Sequence, residues 1–354
     1  MNFLSMLVGR WVRITIAFSL VAGLFTSYEP AYAINTTTTI LGKTGSGPIA
    51  IAVDVAGNIY TANYESNNVS KITPGGVSTI LGTTGNKPVA IAVDVAGNIY
   101  TANAPSNNVW KIMPDGNTTI LGTTGNGPSG IAIDAEGNVY TSNFWSNDVS
   151  KITPTGVSTL LGTTDFQGNS ITVDAAGNVY ANAGISSPSI RKFSPAGVQT
   201  ILGNTSDISV GLAADAAGNI YATNATSNYV WKITPTGVTT ILGTTGNQPI
   251  AIAVDAAGNI YTANYESNNV SKITPGGVST ILGTTGNKPV AIAVDVAGNI
   301  YTANYGSNNV SKITPVATKN KSGNRKITIT CKKGNVVKNV SSLKPICPKG
   351  YKKN

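Results

Sequence analysis

Seven aspartates recur at one position of a repeated ten-residue phrase, and they are the most regular candidates for acid–base or metal chemistry in this chain. The phrase has the form IAVDVAGNIY, and successive copies lie forty residues apart almost throughout. The aspartates are Asp54, Asp94, Asp134, Asp174, Asp215, Asp255 and Asp295. Each precedes a glycine by three residues, where a carboxylate can accept hydrogen bonds from the amides of a turn. An active site needs different groups that converge on one point, so we expect all seven to be structural.

Histidine is absent from the 354 residues, which removes most other catalytic options. Ser–His–Asp catalysis, histidine general bases and histidine-ligated zinc are all excluded. Acidic residues at predicted loop positions are scattered and form no recognisable motif. They are Glu65, Asp148, Asp165, Asp207 and Glu266. We therefore predict no cofactor and no metal site. Calcium in a central channel would suit such carboxylates, but no motif supports it.

The repeat itself predicts the elements that hold these residues. In the first full copy, residues 49–54 form an apolar run that suits a strand buried on both faces. Residues 59–63, 69–73 and 77–81 indicate three further short strands, separated by turns rich in glycine, proline and asparagine. Four short antiparallel strands per forty residues are typical of one blade of a β-propeller.

The two ends of the repeat region predict how the ring closes. Seven copies of the first three strands are present, but the last copy stops at Pro315 without a fourth strand. Residues 37–41 (TTTIL) match the fourth-strand phrase and precede the first copy. Pairing this segment with the last blade leaves no open edge. We predict an all-β fold: a seven-bladed β-propeller closed by an N-terminal strand, plus a small C-terminal strand-rich module.

The consensus P-x-x-IAVD-x-x-GNIY-x-AN-x-x-x-N-x-V-x-KI-x-P-x-G resembles the NHL-type propeller repeat over residues 35–315. The resemblance implies a propeller but little about activity, because that family includes sensor domains, protein-binding modules and a few enzymes such as amidating and streptogramin lyases. Those lyases depend on histidine, so their mechanism cannot be transferred to this chain. Many NHL repeats carry aspartate at a position where this chain has asparagine, which disfavours cation binding there. The asparagines are Asn63, Asn103, Asn143, Asn224, Asn264 and Asn304.

The first 33 residues have the pattern of a secretory signal peptide. Arg10 and Arg13 precede an apolar run at residues 14–25, and Ala31 and Ala33 provide small residues two apart for cleavage. A retained membrane anchor is the alternative, although the run is short for a span of about 20 residues. We predict an exported bacterial protein, secreted or associated with the cell surface or wall, with no transmembrane segment after signal removal and a propeller at residues 34–315.

The C-terminal segment differs sharply in composition from the repeats. From Lys319 to Asn354 there are eleven Lys or Arg and no acidic residue, whereas residues 34–318 carry a net charge of −3, so nucleic-acid binding is not expected. We predict a linker at residues 316–325 and a basic module at residues 326–354. Through ITCKKG and PICPKGYKK the module resembles C-terminal modules of exported actinobacterial proteins. Cys331 and Cys347 are expected to form a disulfide in an exported chain.

Propeller topology places the loop after each second strand and the loop between blades on the same face. This face carries aromatic and polar residues, and blades four and five depart from the repeat there. We predict that this face binds a protein or glycan ligand. The alternative is a solvated rim whose aromatic side chains serve only in packing. The candidate residues are Tyr64, Glu65, Phe144, Trp145, Asp165, Phe166, Gln167, Asn169, Tyr265 and Tyr305.

Residues 62–103 and 263–304 are identical over 42 positions, and such copying suits a binding surface better than a tuned catalytic ring. We therefore expect a monomeric, non-enzymatic binding protein. Its basic module would bind an anionic cell-wall polymer or act only as a solubilising terminus. A purely structural wall component differs only in lacking a ligand. The enzymatic alternative is a lactonase-like or lyase-like propeller that uses carboxylates and a divalent ion.

Overall fold

The computed structural model describes residues 36–165, 167–183, 188–205, 209–315, 327–334, 336–342 and 346–353. Within these ranges all regular secondary structure is β-strand. None of these residues belongs to a helix that is long and apolar enough to cross a membrane. The predicted signal peptide and linker lie outside the described residues, as do Phe166 and Asp207.

Seven four-stranded antiparallel sheets follow one another along the chain, and each is one blade. The first strands are β2 (Pro48–Val53), β6 (Pro88–Val93), β10 (Pro128–Ile133), β14 (Ile171–Val173), β18 (Ser209–Ala214), β22 (Pro249–Val254) and β26 (Pro289–Val294). The second strands are β3 (Ile59–Asn63), β7 (Ile99–Asn103), β11 (Val139–Asn143), β15 (Val179–Asn182), β19 (Ile220–Asn224), β23 (Ile260–Asn264) and β27 (Ile300–Asn304).

The outer half of each blade is equally regular. The third strands are β4 (Asn68–Ile72), β8 (Asn108–Ile112), β12 (Asp148–Ile152), β16 (Ser189–Phe193), β20 (Tyr229–Ile233), β24 (Asn269–Ile273) and β28 (Asn309–Pro315). The fourth strands are β5 (Ser78–Thr83), β9 (Thr118–Thr123), β13 (Ser158–Thr163), β17 (Gln199–Asn204), β21 (Thr239–Thr244), β25 (Ser279–Thr284) and the N-terminal strand β1 (Thr36–Lys43).

The ring closes through the two ends of the repeat region. First strands of successive blades pack against one another, and β26 packs against β2 in the same way. Strand β1 pairs antiparallel with β28, from Thr36 opposite Pro315 to Lys43 opposite Asn309. The seven blades and their closure by an N-terminal strand are therefore confirmed. The first strand of blade one ends one residue earlier than predicted, because the carboxylate of Asp54 accepts bonds within the following turn.

The apolar core lies between neighbouring blades rather than inside any one of them. Ile51, Ile59 and Ile72 of blade one pack against Tyr301 and Val310 of blade seven, and all five are at most 9% exposed. The same arrangement recurs around the ring. A single blade therefore leaves an apolar face uncovered, and the stack of neighbours supplies the burial that stabilises it.

The repeated aspartates lie in the turn between first and second strands, at the end of the blades that we call the lower face. Asp54 accepts bonds from the Asn58 amide (2.8 Å), the Asn58 side chain (2.8 Å) and the Tyr60 hydroxyl (2.9 Å). Nζ of Lys71 lies 5.8 Å from the centroid of the Tyr60 ring. The aspartate–tyrosine bond recurs in all seven blades. These aspartates therefore fix turns, as predicted.

A small three-stranded sheet follows the propeller in sequence. It consists of β29 (Ile327–Lys333), β30 (Val336–Ser342) and β31 (Lys352–Lys353), with β29 in the middle. Cys331 and Cys347 form a disulfide. Lysines are exposed on every strand and on the segment before β31. They are Lys332, Lys333, Lys338, Lys349, Lys352 and Lys353.

Candidate functional site

The opposite end of the blades, which we call the upper face, carries the loops after the second strands and the loops between blades. A buried polar network joins the two in blade one. Asn63 donates to Asn68 Oδ1 (2.7 Å) and to Ser70 Oγ (2.8 Å), and Ser70 Oγ accepts the amide of Gly45 (2.9 Å). Because an aspartate could not donate these bonds, the network requires asparagine at this position in blade one.

Three blades replace the serine of this network, and they are blades two, four and five. The replacements are Trp110, Arg191 and Trp231. In blade four, Asp165 also replaces the glycine, and its carboxylate pairs with the Arg191 guanidinium. The indole N–H groups of Trp110 and Trp231 are buried without a hydrogen-bond partner. Blades one, three, six and seven keep the complete network, so the loops of blades six, seven and one form the longest continuous regular stretch of the upper face.

Within this stretch, a carboxylate, a phenol and a hydroxyl meet where blade seven adjoins blade one. The Tyr305 hydroxyl donates to Glu65 Oε1 (2.8 Å), and the Ser46 hydroxyl donates to Glu65 Oε2 (2.5 Å). Tyr305 is on the β27–β28 loop, Glu65 on the β3–β4 loop, and Ser46 on the loop from β1 to β2. We call these three residues the seam cluster. Glu65 and Ser46 are exposed and Tyr305 is half-buried, so the cluster faces solvent.

The cluster has defined protonation states at neutral pH. The bonds from Ser46 and then Tyr305 hold the pKa of the Glu65 carboxyl below its usual value, so Glu65 is ionised. Burial, followed by the bond to Glu65, raises the pKa of Tyr305 to about 12, so its hydroxyl keeps its proton. An ionised carboxylate therefore lies beside a protonated phenol, the states from which a general base and a general acid start, while both shifts move the pKa values away from neutrality.

Two lysines lie on the inter-blade loops on either side of the seam cluster. Nζ of Lys87 is 5.2 Å from the centroid of the Tyr64 ring, and Nζ of Lys288 is 5.6 Å from that of Tyr265. Tyr64 and Tyr265 are 6% and 4% exposed, so their rings support the lysines rather than present a flat aromatic surface. Both tyrosines were named as candidate residues from the sequence, but both lysines were missed. Lys87 and Lys288 occupy the same place in the TGNKP loops before blades two and seven, which could have identified them.

The other predicted face residues are distributed around the ring. Phe144 is buried and packs edge-on against Trp145, which is 47% exposed. Asp165 forms the ion pair with Arg191, and the Gln167 amide donates to Asn147 (2.7 Å). Asn169 is half-buried and hydrogen-bonded to Asn182. The structure thus brings Glu65 and Tyr305 together and leaves these residues at blades three and four.

No group of three or more aspartate, glutamate, cysteine or histidine side chains placed to hold a metal ion is found in the described part of the chain.

Comparison with known proteins identifies the fold. No protein-family model matches the sequence, and no curated protein is similar enough to it to count as a relative. A streptogramin B lyase superposes with a TM-score of 0.72 at 17% identity, over 80% of this chain and 99% of the lyase. A virginiamycin B lyase from Staphylococcus aureus with quinupristin, a histidine-to-alanine variant described as catalytically inactive, gives 0.69 at 17% identity over 79% and 99%. The WD40 propeller domain of Doa1 gives 0.68 at 11% over 80% and 99%.

These neighbours correct the expected function. The prediction of a non-enzymatic binding protein is contradicted, because enzymes are among the proteins that share the fold, and the lyase-like alternative is the one they favour. The likeness at 17% identity itself establishes only a β-propeller. The prediction gave too much weight to the missing histidine. The absence of histidine excludes a mechanism that depends on this residue, as in the lyase whose histidine-to-alanine variant is described as inactive. Carboxylates and phenols can also transfer protons.

Proposed function

We propose that this protein is a propeller enzyme of the lyase class, with its active site at the seam cluster. The observation that carries the proposal is the bond between an ionised Glu65 and a protonated Tyr305 on a solvent-facing loop surface. An elimination needs both: a base removes a proton from a carbon next to a carbonyl group, and an acid protonates the oxygen that leaves. The lyases that share the fold add support from similarity alone.

The proposed step balances within the cluster. Glu65 takes the proton, a carbon–oxygen bond breaks, a carbon–carbon double bond forms, and the leaving oxygen takes its proton from Tyr305. Glu65 is then a carboxylic acid beside a phenolate. Because Glu65 Oε1 and Tyr305 Oη are 2.8 Å apart, the proton returns directly and restores both groups. Substrate that displaces the Ser46 hydroxyl from Glu65 removes one bond that lowers its pKa and so strengthens the base.

The test is turnover of activated substrates. The protein is incubated with quinupristin and with uronate-containing glycans, and products are analysed by mass and by ultraviolet absorbance. Elimination gives a new conjugated double bond with no added water, whereas hydrolysis gives products heavier by one water. Glu65→Gln and Tyr305→Phe are each expected to lower kcat by about 10²–10⁴-fold.

The matched control is Glu266→Gln. Glu266 occupies the same position in blade six, but Ala225 stands where the seam has Tyr305. Its substitution is expected to leave turnover unchanged. Wild-type activity in Glu65→Gln would reject the seam cluster as the site. Hydrolysis products, or no turnover of any ester or glycan, would reject the lyase assignment.

The proposal includes export and a wall attachment site. Residues 1–33 would be a signal peptide, residues 34–315 an NHL-type propeller, residues 316–325 a linker and residues 326–354 a basic module of a bacterial surface protein. Six exposed lysines in the described part of that module, and the absence of acidic residues after Lys319, support attraction to an anionic wall polymer. The protein is taken to act as a monomer.

Co-sedimentation with bacterial cell walls across a salt series tests the attachment. The protein without its signal peptide is compared with a truncation ending at Pro315. If only the longer form pellets and salt releases it, the module is an electrostatic anchor. If both forms pellet equally, the propeller binds the wall and the module does not anchor it. If neither pellets, wall attachment is wrong.

A further inference from the structure

Three consecutive inter-blade loops lie around the seam cluster, and the middle one carries Ser46. They precede blade seven, blade one and blade two, and their equivalent residues are Lys288, Gly47 and Lys87. A Cβ added to Gly47 would lie 2.8 Å from Cγ of Glu65. Glu65 therefore occupies the space that a side chain at position 47 would need. The pattern around the seam is a cation, then the Glu65–Tyr305 pair, then a second cation.

Both lysines are held in place. Lys87 and Lys288 have left-handed backbone conformations (φ 53° and 55°), and their amides donate to Asn67 Oδ1 and Asn268 Oδ1 at 2.7 Å. Their ammonium groups lie over buried tyrosine rings. Neither forms an ion pair: among the described residues the one ion pair joins Arg191 and Asp165. Two oriented cations without a carboxylate partner thus flank an acid–base pair.

We infer that the substrate is an acidic glycan, a chain of uronate sugars whose carboxylates bind Lys87 and Lys288; this rests on the proposed lyase function. Loss of the proton beside a sugar carboxylate adds negative charge to the bound chain, and ammonium groups on the loops to either side of the seam lower the electrostatic cost of that charge. Each lysine lies one blade from the seam. A chain with a carboxylate on every unit reaches both, whereas a neutral glycan would leave both unpaired.

The seam geometry also selects the configuration of the sugar. Glu65 Oε1 and Tyr305 Oη are hydrogen-bonded, so they approach the sugar ring from one side. The proton that Glu65 removes and the linking oxygen that Tyr305 protonates must then lie on the same side of the ring. Mannuronate and glucuronate meet this condition, whereas guluronate and galacturonate place the two groups on opposite sides. The proton, the bond and the leaving oxygen balance as in the general elimination, with no oxidant or reductant.

The experiment uses oligomannuronate and oligoguluronate, which differ only at the carbon that bears the carboxylate. Turnover is followed by the absorbance of the new double bond, and binding is measured by calorimetry with Glu65→Gln. We expect cleavage of oligomannuronate only. Lys87→Gln with Lys288→Gln is expected to weaken binding by about tenfold. The control, Lys71→Gln with Lys272→Gln, removes two lysines that lie over tyrosines on the lower face and is expected to change nothing.

The outcomes separate the two proposals. Elimination of quinupristin, with no binding of either uronate, overturns the acidic glycan and leaves the lyase intact. Binding of oligomannuronate that depends on the two upper-face lysines, without elimination, supports the acidic glycan and rejects the lyase. Cleavage of oligoguluronate in preference to oligomannuronate overturns the one-sided geometry. Equal binding by the double lysine variant and its control overturns the role of Lys87 and Lys288.

Discussion

The hydroxyl of Tyr305 donates a 2.8 Å hydrogen bond to Oε1 of Glu65, joining residues 240 positions apart. Blade seven contains both ends of the repeat region, β1 and β28, which pair at its outer edge. The Tyr305–Glu65 bond connects that blade to blade one at the upper face without involving β1. The pair lies on loops rather than in the core, with Glu65 exposed and Tyr305 half-buried, so its contribution to the free energy of folding is expected to be small.

That expectation is tested by a double-mutant cycle on stability. Glu65→Gln, Tyr305→Phe and the double variant are compared with wild type by urea unfolding. The coupling free energy should be about 0.5–1 kcal/mol, because the bond is charge-assisted but accessible to water. A coupling of several kcal/mol would instead mean that the pair is needed to close the ring. Any loss of activity in the Glu65 and Tyr305 variants would then follow from misfolding. Glu266→Gln is the control and should leave stability unchanged.

The fold could be predicted from the sequence because the same pattern of strands and turns recurs in every blade. The second strand predicted at residues 59–63 is Ile59–Asn63 in the structure. The orphan phrase at residues 37–41 lies within β1 and pairs with β28. Apolar runs of strand length, turns with glycine at positive φ and a missing fourth strand all pointed to one closed ring.

The candidate site was harder to predict because the residues that surround Glu65 in space come from distant parts of the sequence. Glu65 and Glu266 lie in identical 42-residue copies, so no local pattern distinguishes them. What differs is the neighbouring blade, which supplies Tyr305 to Glu65 but only Ala225 at the place facing Glu266. Alignment of the blades around the predicted ring would have paired Glu65 with Tyr305. The hydrogen bond itself depends on the side-chain geometry, which only the structure provides.

Removal of one repeat aspartate should destabilise the propeller strongly. Asp54→Ala leaves the Tyr60 hydroxyl and the Asn58 side chain without their acceptor, although Tyr60 is only 3% exposed. An unpaired buried donor costs about 1–3 kcal/mol, so the free energy of unfolding should fall by about 2 kcal/mol. Urea unfolding measures the change.

Tyr60→Phe serves as the matched control for that variant. It removes the donor rather than the acceptor, so the double variant Asp54→Ala with Tyr60→Phe should be less destabilised than the sum of the single variants. Full additivity would mean that the aspartate acts only through the turn amides and not through the tyrosine. The same comparison at Asp255 and Tyr261 should give a similar coupling, since the tyrosine–aspartate bond has the same length in both blades, 2.9 Å.

The free energy of unfolding should be highest over a range of pH that the aspartates of the lower face limit at the acid end and their partner tyrosines limit at the alkaline end. Burial raises the pKa of five repeat aspartates, but the bonds they accept from asparagine, tyrosine and backbone amides outweigh it and lower the pKa below 3.8. Their stabilisation is present above pH 3.8 and is lost as pH falls through the folded-state values. Burial and the bond to aspartate raise the pKa of all seven partner tyrosines above 10.0.

The tyrosine contribution is complete below pH 10.0 and is lost as pH rises towards the folded-state values, because the unfolded tyrosines ionise first. Urea unfolding at a series of pH values measures both limits. Tyr60→Phe should reduce the alkaline slope by about 1.4 kcal/mol per pH unit, the contribution of one proton. An unchanged alkaline slope in this variant would mean that Tyr60 ionises equally in the folded and unfolded states.

Loss of the N-terminal strand should open the ring. A variant that begins at Thr44 lacks β1 and exposes the hydrogen-bonding edge of β28, which is otherwise paired from Asn309 to Pro315. We expect the thermal midpoint to fall by about 10 °C or more and the protein to associate through the open edge. Differential scanning calorimetry and light scattering measure the two effects. A truncation ending at Pro315 removes the basic C-terminal module but no blade strand, and should unfold at the wild-type temperature. Addition of a peptide with the sequence of residues 36–43 should restore the monomer, because it supplies the missing fourth strand. A monomeric variant with an unchanged midpoint would show that three strands suffice for the last blade and that β1 is dispensable for closure.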